Sequence, residues 1–258
     1  MKAFTCITGA LGSLFLLTPA MAFAQNTNAM FAVNLTVGQE AVSVFVATAA
    51  PDNFKWYYVS LVAGRSYCAE LTTQRFETNR VDPKVQIYSQ VGGGAGPLVV
   101  ENDNSAGEPF PLFNARACFI PASAGVYYVV ATASPGSVGF NRNYALRVIE
   151  TTLWSPWFFI GGDYNAFTLL RNTTAGSCTT TETWRDAAGT VLGQTTSLVP
   201  PNGSVAVNAR TFVPAPAING SAEVAHNCSP GAMVGHQTSL SSSTGLNFDS
   251  PFESRQPW

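Results

Sequence analysis

The chain reads as all-β: two consecutive antiparallel β-sandwiches. Three observations predict this. Short runs rich in Val, Tyr, Phe and Thr recur along the sequence, separated by Gly, Pro, Asn and Asp. Several of them alternate apolar and polar residues, the period of a strand with one buried and one wet face. Long helical patterns with Glu and Lys at four-residue spacing are absent.

The chain opens on a leader. Lys2 precedes the apolar run 7–24 (ITGALGSLFLLTPAMAFA), which closes on Ala22-Phe23-Ala24 before Gln25. A positive start, a short apolar core and a small-x-small site mark a secretory signal peptide. The core is too short, and too broken by Gly and Pro, for a membrane span. Residues 1–24 are expected to be removed and the mature chain to start at Gln25, secreted to the periplasm, the cell surface or the extracellular space. No second long apolar segment follows, so no membrane insertion is expected.

The first half spans 25–150. VSVFVATAA (42–50) runs to Pro51-Asp52-Asn53, FKWYYVSLV (54–62) to Ala63-Gly64, and RSYCAELTT (65–73) follows. VDPKVQIYS (81–89) ends at Gly92-Gly93-Gly94, and PLVVEND (97–103) enters a Ser/Gly/Pro loop. PLFNARACFIP (111–121), VYYVVATAS (126–134) and NYALRVIE (143–150) close the set. In the last, Tyr144, Leu146 and Val148 share a face opposite Arg147; in KVQIYS, Val85 and Ile87 alternate with Lys84, Gln86 and Tyr88. The continuous run VYYVVATA predicts a central strand covered on both sides.

After Glu150-Thr151-Thr152 the pattern restarts and fills 151–258. WSPWFFIGG (154–162) and NAFTLLRNTT (165–174) read as strands. SCTTTETWRD and TVLGQTTSLV flank Ala187-Ala188-Gly189 as a hairpin, and Pro200-Pro201-Asn202-Gly203 is a turn. SVAVNARTFV, SAEVAHNCS and AMVGHQTSLS supply three more strands, and GLNFDSPFESRQPW reads as a tail lying across the domain.

The ordered segments FKWYYVSLVAGRSYCAEL, DPKVQIYSQVGGG, VENDN, FIPASAGVYYVVATAS and NYALRV resemble the bacterial pre-peptidase C-terminal domain over roughly residues 42 to 149. The resemblance implies a compact, jelly-roll-like sandwich that accompanies secreted enzymes or surface proteins and is not itself catalytic. Its best understood members bind fibrous or extracellular material, some with calcium. This sequence departs from the family in placing no peptidase domain ahead of the module. In the second half, LLRNTT, TWRDAAGTVLG and PPNGSVAVNAR resemble an immunoglobulin-like sandwich repeated across bacterial surface proteins.

Composition narrows the function classes. Thirteen basic and 15 acidic residues give a net charge of −2, and only 11% of residues are charged. No Lys/Arg cluster exists, so a nucleic-acid partner is not expected. Of the five cysteines, Cys6 lies in the leader, away from the position of an acylated cysteine. The remaining four permit three pairings. The expected one is Cys68–Cys118 and Cys178–Cys228, each inside one sandwich. By the loop-entropy model, closing a loop of about 50 residues stabilises by roughly 4 kcal/mol. No C-x-x-C supports a redox or cysteine-rich zinc site.

Few residues carry candidate chemistry. His226 and His236 lie on adjacent predicted strands and could face each other, with Glu223 and Asp249 as further metal ligands; the plainer reading is two imidazoles capped by backbone. Ser229 and Ser239 lack a G-x-S-x-G elbow and a strand–turn–helix setting, so a catalytic serine is not expected. Glu101 and Asp103, with Glu108 beyond and Asp82 on a neighbouring strand, read as a calcium site, as a carboxylate pair for hydrolysis, or as a turn held by its own Asn and Asp side chains. Trp56-Tyr57-Tyr58 must turn at least one ring out of a simple strand, and Trp154, Trp157, Phe158 and Phe159 cluster near the junction. Trp56, Tyr58 and the terminal Trp258 are the aromatic binding candidates, although core packing is the plainer role for such rings. Asn34, Asn172, Asn202 and Asn219 head glycosylation-type triplets, which a Ser/Thr-rich chain produces by chance. The expectation is a secreted non-catalytic module without a cofactor, binding a polysaccharide, extracellular matrix, a surface protein or itself. A calcium-stabilised adhesin or carbohydrate-binding protein, and a hydrolase working through the acidic loop, are the alternatives.

Overall fold

The computed structural model describes residues 27–45, 54–73, 82–104, 114–134, 142–214 and 217–255. The expected leader, Glu108 and Trp258 lie outside them. The described regular structure is β apart from two single-turn 3-10 segments, with no helix long and apolar enough to cross a membrane.

The first half contributes β1 (Val33–Asn34), β2 (Glu40–Phe45), β3 (Lys55–Leu61), β4 (Tyr67–Thr72), β5 (Pro83–Val91), β6 (Gly94–Asn102), β7 (Asn114–Phe119), β8 (Gly125–Ala133) and β9 (Arg142–Glu150). One sheet has the order β1-β3-β8-β5-β6 and the other β2-β9-β4-β7. The alternating side chains foreseen from the sequence meet between them: Val85 and Ile87 from one sheet, Tyr144, Leu146 and Val148 from the other. β8 is central, and Tyr127 through Ala131 are buried on both of its faces. One pairing departs from the antiparallel expectation: β1 runs parallel to β3, with Val33 beside Tyr57. Two residues carry no period, so this short edge had no signature.

The second half contributes β10 (Leu153–Gly161), β11 (Tyr164–Asn172), β12 (Cys178–Asp186), β13 (Val191–Val199), β14 (Ser204–Asn208), β15 (Ala217–His226), β16 (Met233–Ser241), β17 (Asn247–Pro251) and β18 (Glu253–Ser254). The sheet path is β13-β12-β15-β10-β11-β16-β17, with β14 on β11 and β18 on β10. β10 and β11 share a single residue pair, Gly161 with Tyr164. The sheet folds at that hairpin, and its wings enclose one core: Phe158, Trp184 and Val224 meet Ala166, Leu170 and Met233. The expected hairpin forms between β12 and β13, where Asp186 accepts the N–H groups of Ala188 and Thr190. Asn202 takes φ 52°, the left-handed setting that Asn tolerates in a turn. The C-terminal segment is more than a tail lying across the domain. β17 extends one wing, β18 pairs with the other, and Phe252 between them is buried in the core.

Both expected disulfides form, each between neighbouring strands of one sheet. Cys68 of β4 lies directly opposite Cys118 of β7. Cys178 opens β12 and bonds to Cys228, just beyond its partner β15. The halves meet through two buried residues, Thr151 and Thr152. The Thr151 N–H donates to the Ser66 carbonyl at 2.8 Å, and the Ser66 N–H donates to Thr152 Oγ1 at 2.9 Å. Cys68 Sγ lies 3.7 Å from the Cys228 carbonyl oxygen, so the two cross-links flank the same junction.

Candidate functional site

The acidic loop is only partly assembled. Glu101, near the end of β6, is opposite Gln86 of β5. It accepts from Gln86 Nε2 at 2.8 Å and pairs with Lys84 Nζ at 2.9 Å. These two donors, Gln86 first, hold its carboxyl below the usual range. Asn102 accepts the Asn104 N–H at 2.8 Å, and the Asn104 amide donates to Asp103 at 3.1 Å, the side-chain-to-backbone turn of the plain reading. Burial, and then the charge of Asp103, push the Asp82 carboxyl up. Glu101, in contrast, is turned to β5. Among the described residues no three His, Cys, Asp or Glu side chains are grouped to hold a metal ion.

The histidines do not face each other. β15, bearing His226, pairs with β10 and β12, whereas β16, bearing His236, pairs with β11 and β17. Successive strands that cross between wings are not hairpin partners, which corrects the sequence expectation. His226 is buried and His236 exposed. The proposed acidic partners are engaged elsewhere, Glu223 with Arg185 and Asp249 with Thr238. Ser239 accepts the Phe159 N–H at 2.8 Å and works as a strut.

A polar core in the second half was not foreseen. Thr180 donates to Glu182 at 3.2 Å, and Thr168 donates to Gln237 Oε1 at 2.8 Å. Glu182 Oε2, Gln237 Nε2 and His226 Nδ1 are buried and have no partner among the protein groups. Burial pushes the Glu182 carboxyl up to about 7 and the His226 imidazole down to about 4. Glu182 occupies the inward phase of TTTETW, a phase that a polar run does not announce.

Two surfaces flank the junction. A cleft of about 600 Å³ has walls that include Glu101, Arg116 and Cys118 from the first half and Asn227 and Cys228 from the second. Behind Arg116, Glu70 accepts from both Arg116 at 2.9 Å and Arg147 at 2.6 Å. On the second surface, two guanidinium groups approach the Trp154 ring. Arg255 is 3.7 Å from its centroid, and Arg65 of the first half is 5.1 Å away. Both are cation–π placements.

The aromatic candidates divide. Tyr57 enters the core, where its hydroxyl meets that of Tyr144 at 2.7 Å. Trp56 and Tyr58 turn to the outer face and are half-buried. Trp56 packs on Tyr88 at 5.5 Å and on Tyr128 at 6.2 Å. Of the expected Trp154, Trp157, Phe158 and Phe159 cluster, only Trp157 and Phe159 come together toward solvent, joined by Tyr164 and Phe248, which the sequence did not single out. β10 bulges between Ser155 and Phe158 as it follows β15, and the extra residue turns Trp157 outward. Trp157 lies nearly parallel to Phe159 at 6.4 Å and edge-on to Phe248 at 5.8 Å. Tyr164 closes the ring with Phe159 at 5.7 Å and with Phe248 at 5.9 Å. Trp157 and Phe248 are 39% and 52% exposed.

The class that fold and site define is an all-β, disulfide-braced protein of stacked antiparallel sheets. No family model matches the chain, and no curated protein does. Among solved structures, the pre-peptidase C-terminal domain of collagenase from Bacillus anthracis is similar at 12% identity and TM-score 0.33, over 45% of this chain and 93% of that one. A β-glucuronidase from Bacteroides uniformis is similar at 11% identity and TM-score 0.21, over 76% of this chain and 26% of the enzyme. The full extracellular region of zebrafish Gpr126/Adgrg6 is similar at 12% identity and TM-score 0.22, over 85% of this chain and 31% of the receptor region. The chain thus spans about a quarter of the enzyme's length and under a third of the receptor region's.

Proposed function

We propose that this protein is a secreted, non-catalytic binding module of a bacterial envelope or extracellular matrix. The observation that supports this reading is how its side chains are spent. The candidate acids Glu101, Glu223 and Asp249 are committed to structural partners, while aromatic rings gather toward solvent on both halves. Disulfides joining neighbouring strands fit a module built for an oxidising compartment.

The test is co-sedimentation of the purified mature chain with cell-surface polysaccharide and with matrix protein, alongside its own sedimentation profile. Retention by either material, or self-assembly, is the expected result. Absence of all three overturns the reading. So does turnover of a glycan or peptide that disappears in Asp103→Asn.

A further inference from the structure

We propose that the ring of Trp157, Phe159, Tyr164 and Phe248 is a platform on which a neutral polysaccharide stacks. This deepens the binding-module reading and rests on it.

The platform is aromatic throughout, and two of its rings are exposed well beyond what a core requires. Aromatic faces carry a negative quadrupole, which attracts the polarised C–H faces of a pyranose. Contiguous exposed apolar surface on a soluble domain marks a contact site.

The surroundings select the ligand. Exposed Asn219 sits opposite Phe159 across the β10–β15 pair. Its amide is a neutral hydrogen-bonding group suited to sugar hydroxyls. Nearby carboxylates are already satisfied. Asp163, next to Tyr164, accepts the hydroxyls of Ser241 and Ser243 and the Ser243 N–H. Asp249 accepts from Thr238 at 2.5 Å and from Asn247 at 3.3 Å. These donors are neutral hydroxyl, amide and backbone groups that leave the negative charge in place, so the site repels a polyanion and complements an uncharged polyol.

The fold also opposes a strand from a second copy. The edge beside the platform, β17, is five residues long, carries Asp249 and ends at Pro251, which has no N–H. Short, charged, proline-bearing edges resist strand addition. The platform is rigid as well. Asp163 ties the β10–β11 turn to the β16–β17 turn, and Ser239 fixes Phe159. Little ordering entropy is left to lose on binding.

The experiment is affinity electrophoresis of the full mature chain in gels containing cellulose derivatives, xylan, laminarin, soluble chitin or polygalacturonate. Trp157→Ala/Phe248→Ala is compared with Trp56→Ala, and melting curves verify folding. The expected result is retardation by at least one neutral polymer, weakened about tenfold or more in the double variant and by less in Trp56→Ala. Should the double variant unfold, Trp157→Phe replaces it: binding persists, while the ligand-induced shift in tryptophan emission is lost. Four outcomes overturn the proposal: no retardation by any neutral polymer, retention by polygalacturonate alone, undiminished binding in a folded double variant, or ring-dependent dimerisation without sugar binding. If Trp56→Ala abolishes binding and the double variant does not, the platform falls while the module reading stands.

Discussion

The two halves solve the same packing problem with different interiors. In the first, two buried polar sets are matched: Tyr57 meets Tyr144, and Glu70 accepts from Arg116 and Arg147. In the second, Glu182 and His226 are sealed in with atoms that lack protein partners, and burial displaces their titration in opposite directions. The difference teaches that one architecture can bury polar groups as matched partners and as an acid and a base displaced by burial in a single chain.

The largest effect removes what the halves share. Each disulfide spans 50 residues, so paired Cys→Ser changes in either half are expected to cost about 4 kcal/mol. Denaturant melts of the two variants test this, and unequal losses would show that local packing outweighs loop entropy. Next is the charged triad of the first half. Glu70→Ala strands Arg116 in a buried setting, with an expected loss of about 3 kcal/mol; the same melts report it.

The third prediction concerns the second half and has a sign. Folded Glu182 keeps its proton to about pH 7, whereas the unfolded chain releases it near 4.5. Its contribution is full below pH 4.5 and is lost as pH climbs through 7. His226 opposes it: the unfolded chain takes a proton near 6.5 and the folded chain near 4. That contribution is full above pH 6.5 and is lost as pH falls through 4. Each is worth about 3 kcal/mol, so the wild-type melting temperature should vary little between pH 4.5 and 6.5. Glu182→Gln should uncover a steep rise with pH in this window; a flat profile in that variant would remove the contrast between halves. The smallest effect is at the surface. Lys84→Ala, which breaks the pair with Glu101, should change stability by under about 1 kcal/mol, and a larger loss would mean that the acidic loop braces the first sandwich.

Much of the architecture was legible in local pattern. Val85 with Ile87, and Tyr144 with Leu146 and Val148, show inward phase in six to eight residues, and PPNG or DAAG names its own turn. Equal Cys spacings inside repeating strand sets made the pairing readable. What could not be read depends on long-range placement. Trp157, Phe159, Tyr164 and Phe248 are brought together by a bulge and by an edge strand drawn from the C-terminal segment, and no spacing connects them. His226 and His236 looked like neighbours because successive strands usually pair, and here they lie in opposite wings. Glu101 looked available because its partners, Lys84 and Gln86, stand on the preceding strand.

The cross-links also set how far this molecule can be drawn out. A polymer pulled from its two ends lengthens only along covalent paths that run outside closed rings. Each bond between cysteines short-circuits 50 residues and so withholds roughly 170 Å of contour length. Under tension the strands between Cys68 and Cys118, and between Cys178 and Cys228, carry no load along the main chain. A tether of this kind stops short and stiff, where an unlinked chain of equal length would keep paying out.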